Sequence, residues 1–232
     1  MFEFLKKLFS PITLTLDFIQ KYFKTIVFIT ILVLIADSNN ESNLSPANLQ
    51  KIDLVGAILD PELVLEKIEK AKTDDKIKGV LFMVNSPGGA VAPSVELAYA
   101  IKELNQIKPV IAYASGTIAS GSYYASIWAN KIIANPGSMV GSIGVIFQGA
   151  NLEELMDKIG VKTQTVKAGR YKESGTPTRQ WNDLEKKELQ NVIADTYDMF
   201  ITDVSNARKL DKAKHTVYAD AHIFTASQAK KV

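Results

Sequence analysis

The sequence contains no cysteine and only two histidines, His215 and His222, both late in the chain. The first absence excludes disulfides, thiolate metal sites and cysteine nucleophiles. The second means that any histidine-based triad must draw on one of those two positions. His215 lies in the charged stretch KLDKAKH, which reads as a solvated helix. His222 follows Asp220 and Ala221, and two ligands without a third make a weak metal site. No metal or cofactor is expected. An excess of charge is missing too. The net charge is +2, and Lys6, Lys7, Lys21 and Lys24 set against Glu3 and Asp17 account for all of it. A neutral body argues against a nucleic-acid partner, because such binding rests on a basic surface. The nucleophile signature G-x-S-x-G is also absent.

Long apolar runs are scarce. The longest uncharged apolar stretch, Thr25 to Ala36, is short for a membrane span, which takes about 20 residues. Tyr22 and Phe23 extend it, and Lys24 can snorkel its ammonium to the headgroups. A signal anchor fits these flanks, with the lysines holding the N-terminus in the cytoplasm. A cleaved signal peptide, with Ala36-Asp37-Ser38 as its cleavage site, and a buried soluble helix are the alternatives. The polar stretch SNNESNLSPANLQ, residues 38–50, reads as a linker. The chain thus divides into residues 1–37, a cytoplasmic N-terminus and anchor helix, a linker at 38–50 and a folded body at 51–232.

The body alternates strand and helix signals, which predicts an α/β fold. Strands are expected at Ile52–Leu59, around VLFMVN, at Pro109–Ala114, at Lys131–Ala134 and at Ile143–Phe147. Helices are expected after the Asp60-Pro61 cap, from about Pro93, over residues 119–129, at Leu152–Ile159 and, longest, at Asp183–Arg208. Leu189, Val192, Ile193, Tyr197, Phe200, Ile201 and Val204 mark the buried stripe of that last helix. Thr225 to Gln228 has the spacing of a capping box.

Two short segments carry the candidate chemistry. Asn85-Ser86-Pro87-Gly88-Gly89 ends a buried strand, and its glycines let backbone N–H groups face a ligand and stabilise an oxyanion. A plain strand-to-helix turn explains it equally well. The second segment, Ala114 to Tyr124, places Ser120 at a helix start, where the helix dipole favours negative charge and the N–H of Gly121 is a further oxyanion donor. The competing role for this serine is a helix cap. Ser115, Ser120 and Ser122 are all candidates, and spacing does not choose among them. A serine nucleophile without histidine can use lysine. Such a base must be neutral, so the free lysine pKa of about 10.4 has to fall to roughly 7–8. Lys172 lies in the glycine-flanked loop AGRYKESG, where an exposed charge paired with Glu173 is the simpler explanation.

Taken together, these motifs resemble the signal peptide peptidase A family, also called protease IV, of Ser-Lys peptidases in its short single-repeat form. NSPGG at 85–89 is similar to the family's oxyanion loop, and ASGSYY at 119–124 to its nucleophile motif, usually ASGGYY. Gly-Ser-Ile-Gly-Val at 141–145 and AGRYKESGTPTR at 168–179 are similar to the base-orienting and lysine segments. The resemblance implies Ser120 as nucleophile, Lys172 as base, Ser142 as the residue that orients the base, and the N–H groups of Gly89 and Gly121 as the oxyanion hole. It implies a Clp/crotonase-like spiral of ββα units in which residues 51–232 form the peptidase domain. It also implies a single-pass protein of the bacterial inner membrane, with the catalytic domain outside the cytoplasm and homo-oligomeric rings whose sites are shared between subunits. The substrates implied are remnant signal peptides and other unfolded peptides. Two departures stand out. Ser122 replaces a glycine, which the fold tolerates unless the backbone there needs a positive φ. The family also continues past the last helix, so the domain is expected to be truncated at its C-terminus. The rival functions are a non-catalytic membrane scaffold on the same fold and a crotonase-type acyl-CoA enzyme.

Overall fold

The computed structural model describes residues 18–34 and 48–232. Two compact units divide the chain, Met1–Asn48 and Leu49–Val232. In the first, residues 18–34 form helix α1, with Phe18, Phe23, Phe28 and Leu34 exposed. Among the described residues, no helix is long and apolar enough to cross a membrane. The 17 described residues of α1 rise about 26 Å, and Lys21 and Lys24 lie among the first of them. The expected span ends outside the described residues, as does most of the expected linker.

The second unit is an α/β body. Strands β1 (Leu49–Val55), β2 (Gly79–Ser86) and β3 (Val110–Ala119) pair in parallel. Between them run α2 (Glu62–Thr73) and α3 (Val91–Ile107). Asp60 accepts from the N–H of Glu62 at 3.0 Å, so the Asp60-Pro61 pair opens α2 one residue later than its spacing predicts. The apolar run of β2 is buried at Val80, Phe82 and Val84, as parallel strands covered by helices require. Leu97, Ile101 and Leu104 recur on one face of α3 and join Ile52, Phe82 and Ala112 in the main core.

Strand β3 runs five residues past its predicted end, and the reason is a bulge. Val84 pairs with Ala114, but Ser86 pairs with Ile118. The side chain of Asn85 fills the gap. Its Oδ1 accepts from the N–H of Thr117 at 3.1 Å and lies where a Cβ on Gly116 would be. The bend lets β3 pair with β4 (Lys131–Ala134) through its first half and with β5 (Met139–Gly141) through its second. The order is β1-β2-β3-β5-β6, with β4 also on β3 and the short β6 (Ile223–Thr225) antiparallel at the end.

Three expectations are corrected. Residues 143–147 are not a strand; the ladder of β3 with β5 ends at Ala119 and Gly141, where both chains turn away. Helix α4 is short (Gly121–Ser126) and does not reach residue 129. Helix α5 (Glu153–Lys158) lies within its predicted bounds, and α6 (Asp183–Arg208) matches them, but Val192 on the α6 stripe is 57% exposed. Only the C-terminal half of α6 packs on the body, through Phe200, Ile201 and Val204 against Tyr124 and Ile127. After a short turn come α7 (His215–Tyr218), β6 and α8 (Ala226–Ala229), which Thr225 and Gln228 open with the expected capping box.

Candidate active site

Ser120 stands where β3 gives way to α4. It occupies the N-cap position, yet its side chain makes no capping hydrogen bond. Its φ of 52° and ψ of −126° are unusual for a residue with a Cβ, and such conformations persist only where surrounding bonds impose them. Here the N–H of Ser120 donates to Gly141 at 2.8 Å, and its carbonyl accepts from Tyr124 at 3.0 Å. Strain of this kind turns a side chain out of the strand and off the helix, which is the logic of a nucleophile elbow.

The glycine loop lies against this turn. A Cβ on Gly88 would fall 2.6 Å from the nitrogen of Gly121 and 2.8 Å from the Cβ of Ser120. A Cβ on Gly89 would collide with the backbone of Ile58, to which the loop is bonded by Ile58 N–H to Gly88 (2.9 Å) and Ala90 N–H to Ile58 (2.8 Å). Glycine is therefore required twice by close approach. The N–H groups of Gly89 and Gly121 have no hydrogen-bond acceptor among the described residues. Both border a cavity of about 90 Å³ that Ser120 shares with Val91, Ser94, Val95, Tyr124, Gly144, Ile146, Thr196, Met199 and Phe200.

Of the other serines, Ser115 is spent on Val84 at 3.3 Å, and Ser122 is fully buried with its hydroxyl bonded. Geometry thus separates three candidates that spacing left equal. Ser142 has a φ of 51° and follows Gly141, so the segment that receives the Ser120 N–H continues directly into it. Its own N–H donates to His222 at 2.6 Å, and Ala221 donates to Ile143 at 2.9 Å. His222 therefore contributes its carbonyl, and its ring lies beside Phe224.

Lys172 is not brought to this cavity. It is exposed on a turn in which its N–H donates to Gly169 at 3.3 Å, it does not line the cavity, and no hydrogen bond joins it to Ser120. Its neighbour Glu173 does not pair with it either. Glu173 binds Lys167 and, at 3.0 Å, Arg179, which also binds the buried Glu185 at 2.7 Å. Lys167 and then Arg179 hold the Glu173 carboxyl down at about 2, and Arg179 does the same for Glu185. Glu185 also closes a capping box with Asn182 at the start of α6. The lysine loop is thus stapled to a helix end. The pattern Asn182-x-x-Glu185 signals that box in the sequence; the ion network does not show there.

Residues that sequence reasoning missed include Asp203 and Ser94. Asp203 accepts from Tyr124 at 2.5 Å and from Tyr99 at 3.3 Å. Burial first, and then this carboxylate, push the Tyr124 phenol well above its ordinary range. No motif marks Asp203, because its partners lie on other helices.

A parallel α/β body with a strained serine turn, two free N–H groups and an apolar cavity has the construction of a serine hydrolase site. The peptidase family S49 model matches residues 102–232. The chain is 40% identical over 173 residues to a candidate protease of Methanocaldococcus jannaschii, covering 75% of this chain and 56% of that protein. It is 37% identical over 169 residues to a candidate signal peptide peptidase SppA of Enterococcus faecium (71% and 48%). It is 31% identical over 175 residues to the chloroplastic serine protease SPPA of Arabidopsis thaliana (75% and 26%). The chain belongs to peptidase family S49. It spans about half the length of the first two of these relatives.

Proposed function

We propose that the chain is a membrane-anchored serine endopeptidase that cleaves remnant signal peptides and other unfolded peptides with a Ser120–Lys172 dyad. The observation that carries this reading is the serine at the start of α4 that does not cap its helix. Ser120 Oγ attacks the peptide carbonyl carbon, and neutral Lys172 takes the hydroxyl proton. The N–H groups of Gly89 and Gly121 receive the oxyanion. As the C–N bond breaks, the lysine returns the proton to the leaving amine; water then cleaves the acyl-enzyme by the reverse roles. Ser142 orients Lys172. The exposed position of Lys172 supports pairing with the Ser120 of a neighbouring subunit in a ring. The alternating strands and helices support a Clp/crotonase-like spiral of ββα units. The apolar run beside Lys21 and Lys24 supports a bacterial inner-membrane anchor, with residues 1–37 as cytoplasmic N-terminus and anchor, a linker that ends before β1, because Leu49 and Gln50 of the expected 38–50 linker pair with β2, and the catalytic domain outside the cytoplasm. An apolar cavity beside Ser120 suits one apolar substrate side chain, as membrane-derived peptides supply.

The test is peptide hydrolysis by the wild type, Ser120→Ala and Lys172→Ala. Each substitution should lower kcat by roughly 10⁴-fold or more. Equal rates in all three proteins would refute the dyad.

A further inference from the structure

We propose that Ser122 is a positioning residue whose hydroxyl sets the spacing of the two oxyanion donors, Gly89 and Gly121; this rests on the peptidase reading above. Ser122 is fully buried. It takes no positive φ, so nothing in its backbone calls for glycine. Its Oγ lies 2.6 Å from the carbonyl of Ser86 and 2.9 Å from that of Ala119, and it accepts from the N–H of Ala119 at 2.9 Å. A hydroxyl has one proton to donate, so the shorter contact takes it: Ser122 donates to the Ser86 carbonyl and accepts from the Ala119 N–H.

The partners are the point. Ser86 is the last residue of β2 and leads into the glycine loop, and its own hydroxyl accepts from the N–H of Gly88 at 3.2 Å. Ala119 is the last residue of β3 and precedes Ser120. The ladder between β2 and β3 makes its last pairing at Ser86 and Ile118. At that last pairing, the Ser122 hydroxyl bonds to both strand ends and reinforces it. Above the tie, the nitrogen of Gly89 lies 3.3 Å from the place a Cβ on Gly121 would occupy, so the two donors are neighbours. Oxyanion donors act only within about 2.7–3.1 Å of the developing charge, so a small loosening is felt in the transition state and not in ground-state binding.

Alanine at this position leaves the buried Ala119 N–H and Ser86 carbonyl with only the ladder bond between them. Glycine leaves the same groups and also room for one water to replace the hydroxyl. Helix propensity orders the two variants the other way. The experiment measures kcat, KM and thermal melting of the full chain for wild type, Ser122→Ala and Ser122→Gly. Ser122→Ala should lower kcat by about 10-fold to 100-fold with KM within about twofold, and Ser122→Gly should fall between it and wild type. A Ser122→Ala kcat within about twofold of wild type, or Ser122→Gly the slower of the two, overturns the proposal. If wild-type hydrolysis is no faster than that of Ser120→Ala, the peptidase reading falls separately. Amide exchange then decides the tie: Ser122→Ala should speed exchange at Ala119 and Gly88 relative to global exchange, and unchanged rates overturn it.

Discussion

Ser120 is held in a backbone conformation that suits glycine better than serine. Such a residue costs about 1–3 kcal/mol and is kept where the side chain is needed in that place. Removing the hydroxyl by two routes separates the two effects. Ser120→Gly and Ser120→Ala should both be inactive, but Ser120→Gly should be the more stable by about 1 kcal/mol or more, since only alanine retains the strain. Urea denaturation of the two variants measures this. Ser142, Asp220 and Ala221 are held in the same left-handed region, all with φ between 51° and 57°. They sit on the two segments that bond to each other behind Ser120, so the strain is concentrated around one turn. None of this was legible in the sequence, where Ser120 reads equally well as a cap.

Helix α6 shows how burial divides one element. Its periodicity marks a continuous apolar stripe, but the body covers only its C-terminal half. Ile201 is 3% exposed and Val192 is 57% exposed. Ile201→Ala should cost about 2–5 kcal/mol in chemical denaturation, while Val192→Ala should stay within about 0.5 kcal/mol of wild type. At its N-terminal end, α6 is used differently, as the anchor of the lysine loop. Glu173 and Glu185 are both held at about 2, below the ordinary 4.5. Between those values the unfolded chain binds protons that the folded chain does not, so stability falls as pH drops through this window. Melting temperature should therefore decline from about pH 4.5 toward pH 2. Arg179→Met should flatten that decline, because Arg179 is the cation both carboxylates share.

At the scale of the whole molecule, the two halves of the proposed dyad lie apart in one chain, with Ser120 at the cavity and Lys172 exposed on its stapled loop. If each site takes its serine from one subunit and its lysine from the next, two inactive variants should complement. In an equal mixture of Ser120→Ala and Lys172→Ala subunits, assembled together, random neighbours complete about a quarter of the sites. Recovered hydrolysis near that level is the expected result; a mixture as inactive as its parts places both residues in one chain or removes one from the reaction.

The sequence by itself determined the alternation of strands and helices, the bounds of α6, the glycine loop and the serine segment. These follow from local periodicity, turn chemistry and short motifs, which neighbouring residues are sufficient to specify. Tertiary structure decided the rest. It put the loop at Gly88 and Gly89 against Ser120 and Gly121 through the Asn85 bulge in β3, spent Ser115 and Ser122 on hydrogen bonds, and left Ser120 as the one of those three serines that borders the cavity. It also ended β5 at Gly141, where the sequence continued an apolar run to Phe147. Each of these outcomes depends on partners that lie dozens of residues away, and a contact of that kind leaves no period or spacing in the chain that makes it.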